Sequence, residues 1–260
     1  ASTHETNSNV PGPGGRGACG WGLAQTDPHP AAGGRHKVNQ DEVAIATPPP
    51  AGLATAVQEA SRLIPYPAIE QHGMIGDRRT AALVAADGTL DWLCLPHFDS
   101  HIIFGALLDT LKGGYWRVGP ARRLSGRQDY LEASMALQTR WELPEGALAL
   151  EEAMLWPEGG RPPEQTELRV LVRCLRCLRG QVRCQQDLQP GYDFQQQAVS
   201  VAEYTSGFTL QAGELSLRLW TSHPLRAVGT RLHAEFELKQ GEELWSVLEL
   251  GAAGHSWSVE

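Results

Sequence analysis

From Ile69 onward the sequence is cut into short apolar runs by turn residues, and that rhythm constrains the fold more than any other feature. The turns recur at roughly the 8–12-residue spacing of an all-β sandwich or barrel. TAALVAADGTLDWLCL (Thr80–Leu95) reads as a strand, an Asp87–Gly88 turn and a second strand. Gly113–Gly114 precedes the run YWRVGP, Gly146 separates ALQTRWEL from ALALEEAML, and Gly180 separates LRVLVRCL from QVRCQQDL. Gly191, Gly207, Gly213 and Gly241 punctuate the remainder. In LSLRLW, Leu215, Leu217 and Leu219 share one face; in LHAEFEL, Leu232, Ala234, Phe236 and Leu238 do, because side chains on a strand alternate. FGALL (Phe104–Leu108) reads as a single helical turn. No segment of 10–15 residues with helical period separates the strands, which excludes a parallel βαβ fold. The expected fold is antiparallel all-β, a sandwich or a barrel.

Residues 1–65 have a different texture. PGPGGRG, TDPHPAAGGRH and TPPPAG are rich in Pro, Gly and small polar residues without sustained period, too little apolar surface to offset the entropy of ordering them. The expectation is a disordered or low-complexity tail, with a short helix over Leu53–Leu63 that Pro65 and Pro67 stop. The β domain is expected to occupy residues 66–260. The 22 Lys and Arg against 30 Asp and Glu give a net charge of −8, which argues against nucleic acid and suits a neutral ligand such as a sugar. Five cysteines are an odd number, and Cys94, Cys174, Cys177 and Cys184 sit inside apolar runs rather than loops. That pattern points to a reducing compartment, the cytoplasm, rather than to a disulfide framework. No apolar run reaches the length of a membrane span. The N-terminus lacks the order of a secretory signal, and it lacks a starting Met, as a fragment or a processed product would.

The residues that carry chemistry are few. Cys174 and Cys177 form CxxC, but residues three apart on a strand point to opposite faces and no paired ligands follow at zinc spacing, so core thiols are expected and no metal. Glu151–Glu152 and Glu242–Glu243 are adjacent carboxylates. Inverting glycoside hydrolysis needs two carboxyls facing each other roughly 6.5–9.5 Å apart, which neighbours on a strand cannot supply. Solvent-facing charge is expected for both pairs. Of the eight tryptophans, Trp92, Trp141, Trp220 and Trp245 lie within strand-like runs and read as core. Trp116, Trp156 and Trp257 lie nearer turns and are the candidates for stacking on a sugar ring. In PHFDSH, Pro96 and the Asp99–Ser100 pair mark a loop with surface histidines at His97 and His101.

The stretch from Ile69 to Asp109 carries I-x-x-H-G-x-I-G-D, then a hairpin, then D-W-L-C-L-P-H-F-D-S, then F-x-x-L-L-D. In order and spacing it resembles the opening of glycoside hydrolase family 15 proteins of the bacterial glucoamylase and trehalase-like type. Weaker likeness continues through GGYWRVGP, Arg161–Val182, QPGYDF and the closing ELWSVLELG and SWSVE. The resemblance implies an all-β fold, a large antiparallel β-sandwich of the super-sandwich kind, that precedes a linker and an α/α toroid carrying the two catalytic glutamates. The chain ends about where that linker would begin, so those glutamates are expected to have no counterparts here. Two positions depart from the family's pattern: His97 stands where it has Arg, and His101 where it has Pro.

The function expected on this basis is that of a non-catalytic domain that packs on and supports an α/α-toroid catalytic partner, in cis or in trans. The parent reaction would be hydrolysis of trehalose or another α-glucoside. Phe98, Asp99 and Ser100 are the candidates for a loop at the active-site rim or the domain interface, with Phe98 as apolar anchor and Asp99 as acceptor. The competing view of Asp99 is an Asx-type turn with the following backbone. No cofactor, nucleic acid or membrane is expected as partner. The alternatives are a free-standing carbohydrate-binding module on Trp116, Trp156 or Trp257, and an interaction domain.

Overall fold

The computed structural model describes residues 23–26, 66–155, 168–205, 207–251 and 256–259. The expected helix over residues 53–63 lies outside them, as does Trp156. Within the region read as a tail, Leu23–Thr26 is a strand, β1, whose backbone finds an antiparallel partner in Ser256–Val259 (β17).

The remaining fifteen strands form one hydrogen-bonded antiparallel system folded into two layers. The first layer contains β2 (His72–Gly76), β3 (Ala81–Ala85), β4 (Thr89–Leu95), β5 (His101–Phe104), β6 (Gly114–Pro120), β14 (Arg226–Val228) and β15 (Arg231–Lys239). The second contains β7 (Arg127–Tyr130), β8 (Leu137–Leu143), β9 (Gly146–Met154), β11 (Val199–Tyr204), β12 (Gly207–Ala212), β13 (Leu215–Thr221) and β16 (Glu243–Leu250). The strand β10 (Arg169–Pro190) belongs to both. Its first half pairs with β9 and β16, its second half with β6 and β15. The antiparallel all-β fold expected from alternation is the fold observed.

Gly180 is the point where the sequence misleads. It reads as a turn between two strands, yet β10 runs through it for 22 residues. The register against β9 shifts between Cys177 and Arg179, and Gly180 adopts φ +76°, so the strand bends from one layer into the other. A Cβ there would also lie 2.1 Å from the Glu145 carbonyl oxygen. A glycine inside a strand marks a bulge or close approach as often as a turn, and here it marks both.

The inward faces of the layers share one core, including Ile75, Leu93, Trp116, Leu148, Leu175 and Leu188. A second buried cluster, Val170, Val172, Cys174, Trp220, Trp245 and Val247, lies on the opposite face of the second layer. The strand period explains both. Cys174 belongs to the outer cluster and Cys177 to the core, so this CxxC does not converge. Cys94, Cys174, Cys177 and Cys184 are free, buried thiols.

The layers are also joined by charge. Arg173, fully buried on β10, donates to Glu152 (2.6 Å), to the Trp116 carbonyl (2.5 Å) and to the Gly88 carbonyl (2.7 Å), and lies over the Trp116 ring. Glu152 therefore contradicts the expectation of a solvent-facing carboxylate, and so does Glu151, which accepts from Gln138 at 2.6 Å. The reason is position: β9 lies between two strands with both faces covered, so each carboxylate needs an internal partner.

Candidate functional site

The block from Ile69 to Asp109 folds into β2–β5 and the turns between them, and its polar residues build one end of the first layer. Asp77 closes the β2–β3 turn by accepting from the Arg79 and Thr80 amides, both at 2.9 Å. Its other oxygen faces Arg169 of β10 at 3.4 Å, and Arg169 also donates to the Pro96 carbonyl at 3.1 Å. Thr80 donates to the Cys94 carbonyl at 2.6 Å. One carboxylate thus ties a turn, a neighbouring strand and the base of the next loop together.

That loop, Pro96–Ser100, is pinned along its length. The Phe98 amide donates to the Arg79 carbonyl (3.1 Å), the His97 amide to Ser100 Oγ (3.1 Å), and the Ser100 amide to the His97 carbonyl (3.2 Å). Arg79 lays its guanidinium against the His97 ring, with nitrogens 3.1–3.3 Å apart. A planar donor fork is therefore present beside His97, supplied from the β2–β3 turn. His101 is 2.7 Å from one oxygen of Asp193, whose other oxygen accepts from the Ile102 amide at 2.9 Å.

Asp193, Phe194 and Gln195 follow one another in the left-handed region, at φ +46°, +57° and +63°. Each costs about 1–2 kcal/mol for a residue with a Cβ. Strained backbone of this kind concentrates where a surface must be held in one shape. Gly113 and Gly191 make the approach geometrically feasible: a Cβ on Gly191 would fall 2.0 Å from the Gly113 oxygen.

On this support Phe98 and Asp99 project outward. Phe98 is 62% exposed, and Asp99 is exposed without a hydrogen bond among the described residues. The Asx-type turn considered for Asp99 is therefore not formed; the side-chain bond of this loop is made backward, from the His97 amide to Ser100 Oγ. Leu108 and Leu111, in the β5–β6 connection, are 61% and 88% exposed. The Leu111 carbonyl accepts from Gln195, which places it beside the same left-handed turn.

The three tryptophans proposed for sugar stacking fare differently. Trp116 is fully buried between the layers under Arg173, so no ligand can lie on its ring. It sits mid-strand on the inward face of β6, not near a turn. Trp156 is outside the described residues, and of Trp257 only its place in β17 is described. Residues that the sequence reading passed over include Asp77, Arg79, Arg169 and Asp193. Asp77 and Asp193 lay inside the recognised G-D and QPGYDF segments, whereas Arg169 is found only through its contacts.

Two further polar groups lie toward the opposite end of β2 and β4, where His72 pairs with Ala85. His72 Nε2 is 2.9 Å from Asp91 Oδ2, with both side chains almost fully buried. Burial pulls the His72 pKa down, the bond and charge of Asp91 push it up, and the net shift is upward. Burial raises the Asp91 pKa against the opposing effect of His72. Among the described residues no group of three or more His, Cys, Asp or Glu is arranged to hold a metal ion. No helix among them is long and apolar enough to cross a membrane.

The decisive comparison is with protein families: residues 65–224 match the family described as trehalase-like, N-terminal. The chain belongs to this family. Among the curated proteins that this chain resembles are trehalases of three microbes. The trehalase of Mycolicibacterium smegmatis is 27% identical over 83% of this chain and 33% of its own length. That of Mycobacterium tuberculosis is 26% identical over 71% and 30%, and that of Thermoplasma volcanium 27% identical over 72% and 30%. This trehalase-like domain thus spans about a third of the length of the relatives it matches.

Proposed function

We propose that this trehalase-like domain is the accessory domain of a family 15 glycosidase, packing through the Phe98 end on an α/α-toroid partner that hydrolyses trehalose or a related α-glucoside. The observation that carries this reading is the exposure of Phe98, Leu108 and Leu111 on an end fixed by buried polar bonds and strained backbone. Large apolar side chains held rigidly outward suit a surface that becomes buried against a partner. Asp99, unpaired at the tip, is an acceptor for an interdomain donor or a sugar hydroxyl. The chemistry belongs to the partner, since the buried carboxylates described above are committed to structural bonds.

The test pairs the purified chain with the helical region of a trehalase that lacks its own matching third. Trehalose hydrolysis by the chain alone is expected to be nil, and a stable complex is expected with the helical region. Phe98→Asp combined with Leu111→Asp should weaken that complex at least tenfold, about 1.4 kcal/mol, while leaving the melting temperature of the free chain unchanged. Glucose release by the chain alone, abolished by a Glu or Asp substitution within it, would overturn the reading.

A further inference from the structure

Arg117 sits mid-strand in β6, where its neighbours Trp116 and Val118 point into the shared core. Alternation therefore sends Arg117 to the other face of the first layer, beside Thr89 on β4 and Asp187 on β10. It is nevertheless completely buried. The chain leaving β6 then crosses from β10 to the β3–β4 turn. The Ala121 amide donates to the Arg183 carbonyl at 2.8 Å, and the Gly126 amide to the Ala86 carbonyl at 2.7 Å. Arg123 lies between these two ties.

As a residue Arg123 is half-buried, but its three guanidinium nitrogens are enclosed and have no hydrogen-bond partner. Arg117 Nε and Gln185 Nε2 are orphaned in the same way. These groups are neighbours. Gln185 Oε1 accepts from Arg117 Nη1 at 3.3 Å, and the carbonyl of Pro120, three residues before Arg123, accepts from Arg117 Nη2 at 2.6 Å. Burial lowers the Arg117 pKa, Asp87 raises it and the charge of Arg123 lowers it again, with about 10 as the result.

All five orphaned atoms are donors, so the niche calls for acceptors and excludes a cation. The carboxylates at hand are already engaged. Asp187 accepts from Tyr115 at 3.0 Å and from Arg231 through both oxygens. Asp87 Oδ1 accepts from the Thr89 amide, and its Oδ2 stands 3.8 Å from Arg117 Nε, too far for a hydrogen bond. Among the described residues, three guanidiniums (Arg117, Arg123 and Arg231) thus face two carboxylates (Asp87 and Asp187), a surplus of one positive charge. Water would satisfy the donors but leave that buried charge uncompensated. A singly charged anion balances it, and a dianion reverses it. A guanidinium also presents paired N–H donors that match the two oxygens of a carboxylate.

We propose that the Arg117–Arg123–Gln185 niche binds a small, free monocarboxylate. A carboxylate carried on another folded chain has no approach to enclosed nitrogens, whereas a small ion needs only a slight displacement of residues 121–126. The niche lies beside the Asp87–Gly88 turn, at the other end of β4 from the Phe98 loop, so it is independent of the docking surface.

The whole chain is titrated with sodium formate and sodium acetate, followed by calorimetry and melting temperature. Chloride, phosphate and sulfate at equal ionic strength serve as comparisons. A saturable rise in melting temperature with at least one carboxylate is expected, because a ligand that binds only the folded state stabilises it. Arg123→Met keeps the length of the side chain and removes every donor, so it should abolish that response. Without added carboxylate this variant should melt no lower than the parent, since it deletes an unpaired buried charge. Arg123→Lys should bind at least tenfold more weakly, because an ammonium cannot bridge both oxygens. An equal response to chloride, or a stronger one to phosphate or sulfate, overturns the proposal. So does an unchanged response in either variant. A misfolded or markedly less stable Arg123→Met also overturns it, since Arg123 would then already have its acceptor within the fold.

Discussion

At the scale of single residues, stability rests on charges placed where the sequence suggests none should be. Glu152 and Arg173 are both completely buried, and the guanidinium also satisfies two carbonyls of the opposite layer. Removing one partner strands the other in a medium that cannot solvate it. Glu152→Ala is expected to cost about 3–5 kcal/mol, measured as a shift in urea midpoint at constant slope. His72 makes a pH prediction. Its pKa is raised on folding, so its contribution is fully present below its unfolded value near 6.5 and is lost as pH rises through the folded one. The chain should be less stable at pH 8 than at pH 6, and Asp91→Asn should flatten that difference. Cys184 offers a third check. Burial pushes its thiol up to about 12, so it should resist alkylation in the folded state and react only on unfolding.

At the scale of elements, what was legible in the sequence depended on whether a local pattern had a local cause. The Asp87–Gly88 turn forms as read, with Asp87 Oδ1 accepting from the Thr89 amide at 3.0 Å, because turn chemistry is contained in adjacent residues. The Phe104–Leu108 turn forms over Gly105–Asp109, closed by an Asp109 amide bond to the Gly105 carbonyl. Gly180 was unreadable because a glycine looks alike in a turn and in a bulge; the difference lies in Glu145, which is distant in sequence. The burial of Glu152 is hidden from the local sequence for the same reason, its partner lying on another strand. Of the candidate loop, the exposure of Phe98 and Asp99 was readable, whereas the clamp from Arg79, Arg169 and Asp193 was not. Gly180→Ala is expected to destabilise by about 1–3 kcal/mol, with the loss concentrated in hydrogen-exchange protection of β10 on both sides of the bend.

At the scale of the whole molecule, the all-β architecture follows from alternation alone, but the way its layers join does not. A single strand serves both, so the two sheets cannot be separated into independent halves. Thermal unfolding should accordingly show one transition by near- and far-ultraviolet circular dichroism; two resolved transitions would show that the layers melt independently. The same geometry has a consequence during synthesis. When the ribosome has released residues up to β14, β10 already has β6 and β9 at its sides, but β15 and β16 are not yet available. Both halves of the longest strand then present unpaired backbone at once. That is the interval in which a nascent chain is most prone to pair with another copy, and it ends only when β15 and β16 emerge.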